Sequence, residues 1–292
     1  MLSMVFMRWF LIIPAFHEVG LTSEINEFIF AMLVMSVIIV AAAGYIVNDY
    51  FDIRTDRINK PDKVIIGKFI SRRKAILLHP FLSFVGLLAG GFACWKVHNL
   101  WFVLIFVLTI FFLWTYALFF QRKYIVGNML ISILSAFTLY LPWLFEITAL
   151  EKHVNTAFLD FNILHFKIIF YVIFAYLISL IREIIKDMED LNGDIKSGYR
   201  TLPIVSGIKF SKNLVALLIS LLLIFTIYFQ LVFFILPVLI YFILFVQTLL
   251  IYNLIKLFQS SETAEFRHLS QICKVIMLTG IFSIPIIYYF CK

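Results

Sequence analysis

The chain has 292 residues, 63% of them apolar and only 14% charged, with a mean hydropathy of +1.02. A soluble domain is about 45–50% apolar and about 25% charged, so this composition excludes one and indicates an integral membrane protein. The net charge of +7 is read as membrane topology and contact with lipid headgroups; nucleic acid is not expected as a partner.

In chain order, apolar runs fall at about 1–16, 27–47, 73–95, 100–120, 124–147, 165–185, 210–229, 231–256 and 270–290. Runs near 20 residues suit spanning helices, whereas barrel strands would be about 10 residues long and alternating in character. The first run is short and carries Arg8 in its middle. It has neither a charged start nor a small-residue cleavage site, so it is not read as a signal peptide. Pro142, Pro237 and Pro285 fall inside three of the runs, which a bundle tolerates because neighbouring helices satisfy the freed backbone groups. The expected fold is all-α, a single membrane domain over 1–292 with about nine transmembrane helices, the first cut short.

With the N-terminus inside and the helices alternating, the inner segments 48–74, 121–123, 182–212 and 256–274 hold 19 Lys and Arg. The outer segments hold 4. That asymmetry obeys the positive-inside rule. Cys94, Cys273 and Cys291 stand apart and are read as packing residues. His79, His98, His153, His165 and His268 are read as interfacial.

Acid is concentrated against this background: 9 of the 17 acidic residues lie in 48–62 or 183–194. Four predicted helices separate the two clusters, so both lie on the inner face. If the second helix runs through the first cluster, Asn48, Asp52 and Asp56 fall at i, i+4 and i+8 on one face. Asp187, Asp190 and Asp194 fall at i, i+3 and i+7, with Asn192-Gly193 as a helix stop. Such stripes of hard oxygen atoms suit Mg²⁺, which works together with phosphate oxygens. Arg182, Glu183 and Lys186 lie just upstream at a depth where ionisable groups are costly and mark function. Bases accompany both clusters: Arg54, Arg57, Lys60, Lys63 and Lys68 near the first, Lys196 and Arg200 after the second, and Gln121-Arg122-Lys123 on the same face. Carboxylates for the metal and cations for the remaining oxygens make a diphosphate site. A pure cation carrier would not gather so many bases, and a cation or lipid transporter would place its acids near the bilayer midplane.

Asn48-Asp49-x-x-Asp52-x-x-x-Asp56-Arg57-x-Asn59-x-Pro61 resembles the first aspartate-rich motif of the UbiA superfamily of membrane prenyltransferases. Arg182-Glu183-x-x-Lys186-Asp187-x-Glu189-Asp190-x-x-Gly193-Asp194 resembles the second, and Gly198-Tyr199-Arg200-Thr201-Leu202-Pro203 the segment that follows it. Trp114-Thr115-Tyr116 with Lys123, Gly127 and Asn128 resembles the Tyr/Lys region between them. The chain is most similar to the digeranylgeranylglyceryl phosphate synthase branch. Three features depart from the pattern: the first helix lacks the usual basic and polar start, Ala117 stands where a serine often follows the tyrosine, and Val64-Ile65-Ile66-Gly67 replaces Pro-x-x-Gly.

The resemblance implies a Mg²⁺-dependent transferase that moves a prenyl group from a prenyl diphosphate donor to a lipid or aromatic acceptor within membrane lipid. Two ions are implied, one on Asn48, Asp52 and Asp56 and the other on Asp187, Asp190 and Asp194. Arg57, Lys63, Lys123, Asn128, Arg182 and Lys186 would bind the diphosphate, and Tyr116 would face the allylic cation. The implied location is the bacterial or archaeal inner membrane, with the site on the cytoplasmic side.

Overall fold

A computed structural model describes residues 1–152 and 161–290; His153 and Cys291, and also the Lys63 side chain, lie outside the described residues. The short helix α1 joins Leu2–Met7 to Ile13–Glu18 through a π-helical turn, Arg8–Ile12. It is followed by α2 (Glu27–Asn59), α3 (Arg72–Lys96), α4 (Leu100–Leu118), α5 (Val126–Leu150), α6 (Asn162–Glu189), the short α7 (Leu191–Lys196), α8 (Leu202–Val232), α9 (Leu236–Gln259) and α10 (Thr263–Phe290). Two short strands, β1 (Lys123–Tyr124) and β2 (Arg200–Thr201), pair in parallel.

Among the described residues, eight helices are long and apolar enough to cross a membrane. Each predicted apolar run has become a helix, with α1 the short ninth. Two boundaries differ from expectation. The run placed at 210–229 extends over Leu202–Val232, broken at Gly207, whose φ of +83° interrupts the helical geometry. Pro237 does not sit inside a span but in the first turn of α9, where its missing N–H leaves no helical bond unmade.

The position of the first acidic cluster follows from the length of α2. Asn26 caps its start, its side chain accepting from the Ile29 N–H at 2.9 Å, and no proline intervenes before Pro61. At 1.5 Å per residue its 33 residues reach roughly 50 Å, well beyond the apolar thickness of a bilayer, so its last turns leave the hydrocarbon still helical.

Lipid tails are as apolar as leucine, so close packing and hydrogen bonds hold membrane helices together. Along α2 and α3, Ser36 Oγ donates to the Gly86 carbonyl at 2.6 Å. A Cβ at Gly86 would come within 2.7 Å of Val40 Cγ2, so only glycine lets the two backbones approach this closely. The most enclosed span is α6, with 56% of its apolar window buried against 11% for α4. Its Ile168, Phe174, Ile178 and Ile181 form a core with α5, α8, α9 and α10, while α2 to α5 share a second core around Leu33, Phe106 and Phe145. Being central, α6 brings its C-terminal acids to the end of α2.

Candidate active site

On α2, Asn48, Asp52 and Asp56 lie along one stripe, as the i, i+4 spacing predicts. Asn48 Nδ2 donates to Asp52 Oδ2 at 2.9 Å. The α6 helix ends at Glu189 with Asp190 as its C-cap, and the chain restarts as α7. Asp194 therefore sits on a separate short helix, buried at the same end of the bundle.

The two motifs are stapled together. Asn59 donates through Nδ2 to the Asp190 carbonyl at 2.9 Å, and its Oδ1 accepts from the Gly193 N–H at 2.9 Å. A Cβ on Gly193 would run into that same amide, so the staple requires glycine there. Lys60 Nζ lies 2.7 Å from Asp190 Oδ1 and 3.3 Å from Glu189 Oε1, and Arg267 Nε donates to Glu189 at 3.0 Å. Thr55 donates to Ser197 at 2.9 Å. Lys186, in the last turn of α6, is within electrostatic reach of Asp49, Asp52, Asp56, Asp187, Asp190 and Asp194. One cation thus serves both acidic clusters.

Of the other expected residues, Asn128 donates to Asp187 Oδ2 at 2.7 Å. Half-buried Tyr116 has Glu183, Lys186, Asp187 and Asp52 as charged neighbours. Arg182 pairs with Glu183, and its buried Nε has no hydrogen-bond partner among the described residues. Arg57 is exposed and passes near Gly67. Lys123 is exposed, with its ammonium 5.6 Å from the centre of the Phe120 ring rather than against a carboxylate. Instead Gln121 Nε2 donates to Asp52 Oδ2 at 2.6 Å, and Arg122 lies 5.2 Å over the Tyr199 ring. The Tyr199 hydroxyl donates to Asp52 Oδ1 at 3.2 Å. Asn59 and Tyr199 stand in the quoted motifs and Lys60, Gln121 and Arg122 beside them, but motif spacing assigns none of the five a role at the acids. Only the proximity of Gln121-Arg122 to the Tyr/Lys region hinted at two of them. His79, expected at an interface, is buried with Nδ1 2.9 Å from the Ala43 carbonyl, beside Trp114.

Electrostatics outside the spans follow from this crowding. Burial, then the charges of Asp190 and Asp52, push the Asp194 carboxyl up to about 7. Burial and the Asp52 charge raise the Tyr199 phenol, which keeps it a donor.

Whether Mg²⁺ fits can be judged from the oxygen atoms. Asn48 Oδ1 and Gln121 Oε1 are buried acceptors without a hydrogen-bond donor among the described residues. Together with Asp49, Asp52, Asp56, Asp187 and Asp194 they form an all-oxygen donor set suited to a hard cation. Among the described residues no three His, Cys, Asp or Glu side chains converge to hold one ion by themselves. Mg²⁺ keeps several waters and binds through one or two carboxylates plus substrate phosphate, so the set fits without a closed cage. A cavity of about 600 Å³ lies at the opposite end, between α1, α6 and α10, lined by Phe10, Leu11, His17, Lys167 and Ile287. It has no part in this acidic site.

The sequence pattern of the UbiA prenyltransferase family matches residues 10–272. The chain belongs to the UbiA prenyltransferase family. It is 31% identical over 242 residues to the digeranylgeranylglyceryl phosphate synthase of Saccharolobus solfataricus, covering 83% of this chain and 77% of that one. It is 30% identical over 183 residues to the protein of that name from Sulfurisphaera tokodaii, covering 63% and 59%. The chain thus spans about three fifths of the length of several curated relatives it matches. Two solved structures share the fold. One, with a TM-score of 0.66 at 23% identity over 97% of this chain and 92% of that one, concerns digeranylgeranylglyceryl phosphate synthase in membranes. The other, an apo UbiA homologue from Aeropyrum pernix, has a TM-score of 0.68 at 14% identity over 96% of both chains.

Proposed function

We propose that this UbiA-family chain transfers a geranylgeranyl group from its diphosphate to the hydroxyl of a lipid acceptor, geranylgeranylglyceryl phosphate. The observation that carries this reading is the meeting of the two acidic motifs around Lys186, tied by Asn59 and Lys60 at the positively charged end of the bundle. By the distribution of positive charge that end is cytoplasmic, in the cell membrane of a bacterium or archaeon.

Bound Mg²⁺ would neutralise the leaving diphosphate, a stabilisation worth several kcal/mol; Asn48, Asp52 and Asp56 would hold one ion, and Asp187 and Asp194 a second together with water and phosphate oxygens, while Asp190 is paired with Lys60. Lys186 and Arg182 would bind diphosphate oxygens, joined by Arg57 at the end of α2 and by Arg122 and Lys123 after α4, with Lys63 as a further candidate. Asn128 orients Asp187. Tyr116 presents a ring face to the carbon from which diphosphate departs. The apolar wall of the bundle excludes water that would otherwise take the allylic cation to alcohol. The carbon–diphosphate bond breaks, the acceptor hydroxyl oxygen bonds to C1, and its proton passes to the departing diphosphate.

Membranes carrying the protein, given labelled geranylgeranyl diphosphate and Mg²⁺, should convert geranylgeranylglyceryl phosphate to a diether identified by mass spectrometry. Asp52→Ala and Asp190→Ala should remove product while the protein remains folded in detergent. Product only with a hydroxybenzoate or dihydroxynaphthoate acceptor would reassign the chain to ring alkylation. No transfer to any acceptor would refute the reading.

A further inference from the structure

Two loops from distant parts of the chain converge on one carboxylate. The loop after α4 supplies Gln121, whose Nε2 donates to Asp52 Oδ2 at 2.6 Å. The loop after α7 supplies Tyr199, whose hydroxyl donates to Asp52 Oδ1 at 3.2 Å. These loops are joined in three ways. Strands β1 and β2 pair Lys123 with Arg200 and Tyr124 with Thr201. The Arg122 guanidinium lies 5.2 Å over the Tyr199 ring. The Tyr124 hydroxyl is 2.8 Å from Ser206 Oγ at the start of α8.

With Asn48 as the third donor, three of the roughly four lone-pair sites of the Asp52 carboxylate are occupied. Asp52 is 5% exposed, so water does not compete strongly for these bonds. Every donor is uncharged, so together they fix the plane of the carboxylate without cancelling its charge. A carboxylate held this way offers one directed lone pair and its full negative charge to a cation.

We propose that Gln121 and Tyr199 are positioning residues: from two loops clamped by the β1–β2 pair, they hold the Asp52 carboxylate in the one orientation that accepts a divalent cation. The proposal rests on the prenyltransferase reading and extends it to residues outside the aspartate-rich motifs. The strand pair then acts at a distance, because it sets how far apart the two donors stand. Arg122 acts likewise through the ring it covers.

The probe is Mn²⁺, titrated without substrate into the full-length protein in detergent and read by electron paramagnetic resonance. Tyr199→Phe removes one oxygen and keeps the ring beneath Arg122; Gln121→Leu removes the amide and keeps its bulk. Groups that orient a metal ligand typically change affinity 10–100-fold, so each variant should bind Mn²⁺ about tenfold more weakly. Melting temperature in EDTA should fall only modestly, by what one lost hydrogen bond to a buried group costs. In turnover, half-saturating Mg²⁺ should rise about tenfold while the prenyl diphosphate KM at saturating Mg²⁺ stays constant, a split that general loosening of the fold would not produce. If Gln121→Leu does not fold, Tyr199→Phe alone decides. Wild-type affinity in both variants, or a donor KM that rises with the Mg²⁺ requirement, overturns the positioning role and leaves the enzyme reading standing. If the wild-type protein neither binds Mn²⁺ saturably nor transfers a prenyl group, the enzyme reading itself fails.

Discussion

Asp194 shows what a single residue experiences in this site. Burial, then the charges of Asp190 and Asp52, push its carboxyl up to about 7, against about 3.9 in an unfolded chain. The folded state therefore holds this proton more tightly than the unfolded state. The resulting stability is fully present below about pH 4 and is lost as pH rises to about 7. In EDTA, the melting temperature should fall between about pH 4 and about pH 7, and Asp194→Asn should flatten that dependence. Metal competes with the same proton, so half-saturating Mg²⁺ should decrease as pH rises through about 7; a requirement independent of pH would count against Asp194 as a ligand. At this scale the sequence was informative where ligands share a helix, because i, i+4 spacing records a common face directly. It named Gln121 and Tyr199 but not their bonds to Asp52, which lies 69 and 147 positions away. It pointed to Lys123, but β1 opens at that residue and strand geometry alternates side chains; Arg122 turns over Tyr199 and Lys123 over Phe120.

The decisive pair of elements is the end of α2 and the short α7. Asn59 satisfies two backbone groups of the turn that carries Asp190 and Gly193. Asn59→Ala removes two hydrogen bonds and leaves the Gly193 N–H and the Asp190 carbonyl only their bonds within the turn, which should destabilise the protein by about 1–2 kcal/mol, read as a lower melting temperature. Activity should fall further than stability, because the distance between the two acidic motifs is no longer held. Gly193→Ala should resemble it, since its methyl group displaces the same amide. A fully active Asn59→Ala protein would separate the staple from the chemistry. Asn59 and Gly193 belonged to the motifs as read, yet their bond was not legible: spacing within one helix says nothing about which turn of another helix faces it.

Across the whole molecule, the end opposite the acidic site is closed by a buried charge cluster. Arg8 and Glu146 are each 1% exposed and 2.6 Å apart, and Arg8 also donates to Glu27 at 2.7 Å, to Ser23 at 3.2 Å and to the Ile25 carbonyl. The cluster joins α1, the loop after it, α2 and α5. Arg8→Met strands a buried carboxylate and should cost about 3–5 kcal/mol, whereas Arg8→Met with Glu146→Met should cost less than either change alone. Thermal melting in detergent measures both, and a double variant weaker than the singles would show that the pair stabilises the fold by itself.

Membrane character, the nine apolar runs that became helices, the placing of both acidic clusters at one end and the stripe on α2 were determined by the sequence alone. Each follows from local quantities: apolar run length, the imbalance of Lys and Arg, and helical periodicity. Only the tertiary structure decided which donors hold Asp52, how Asn59 ties α2 to α7, and what Arg8 is for. Those bonds join different elements, most of them far apart in sequence, or turn on the direction of one loop side chain, and no local pattern carries that information.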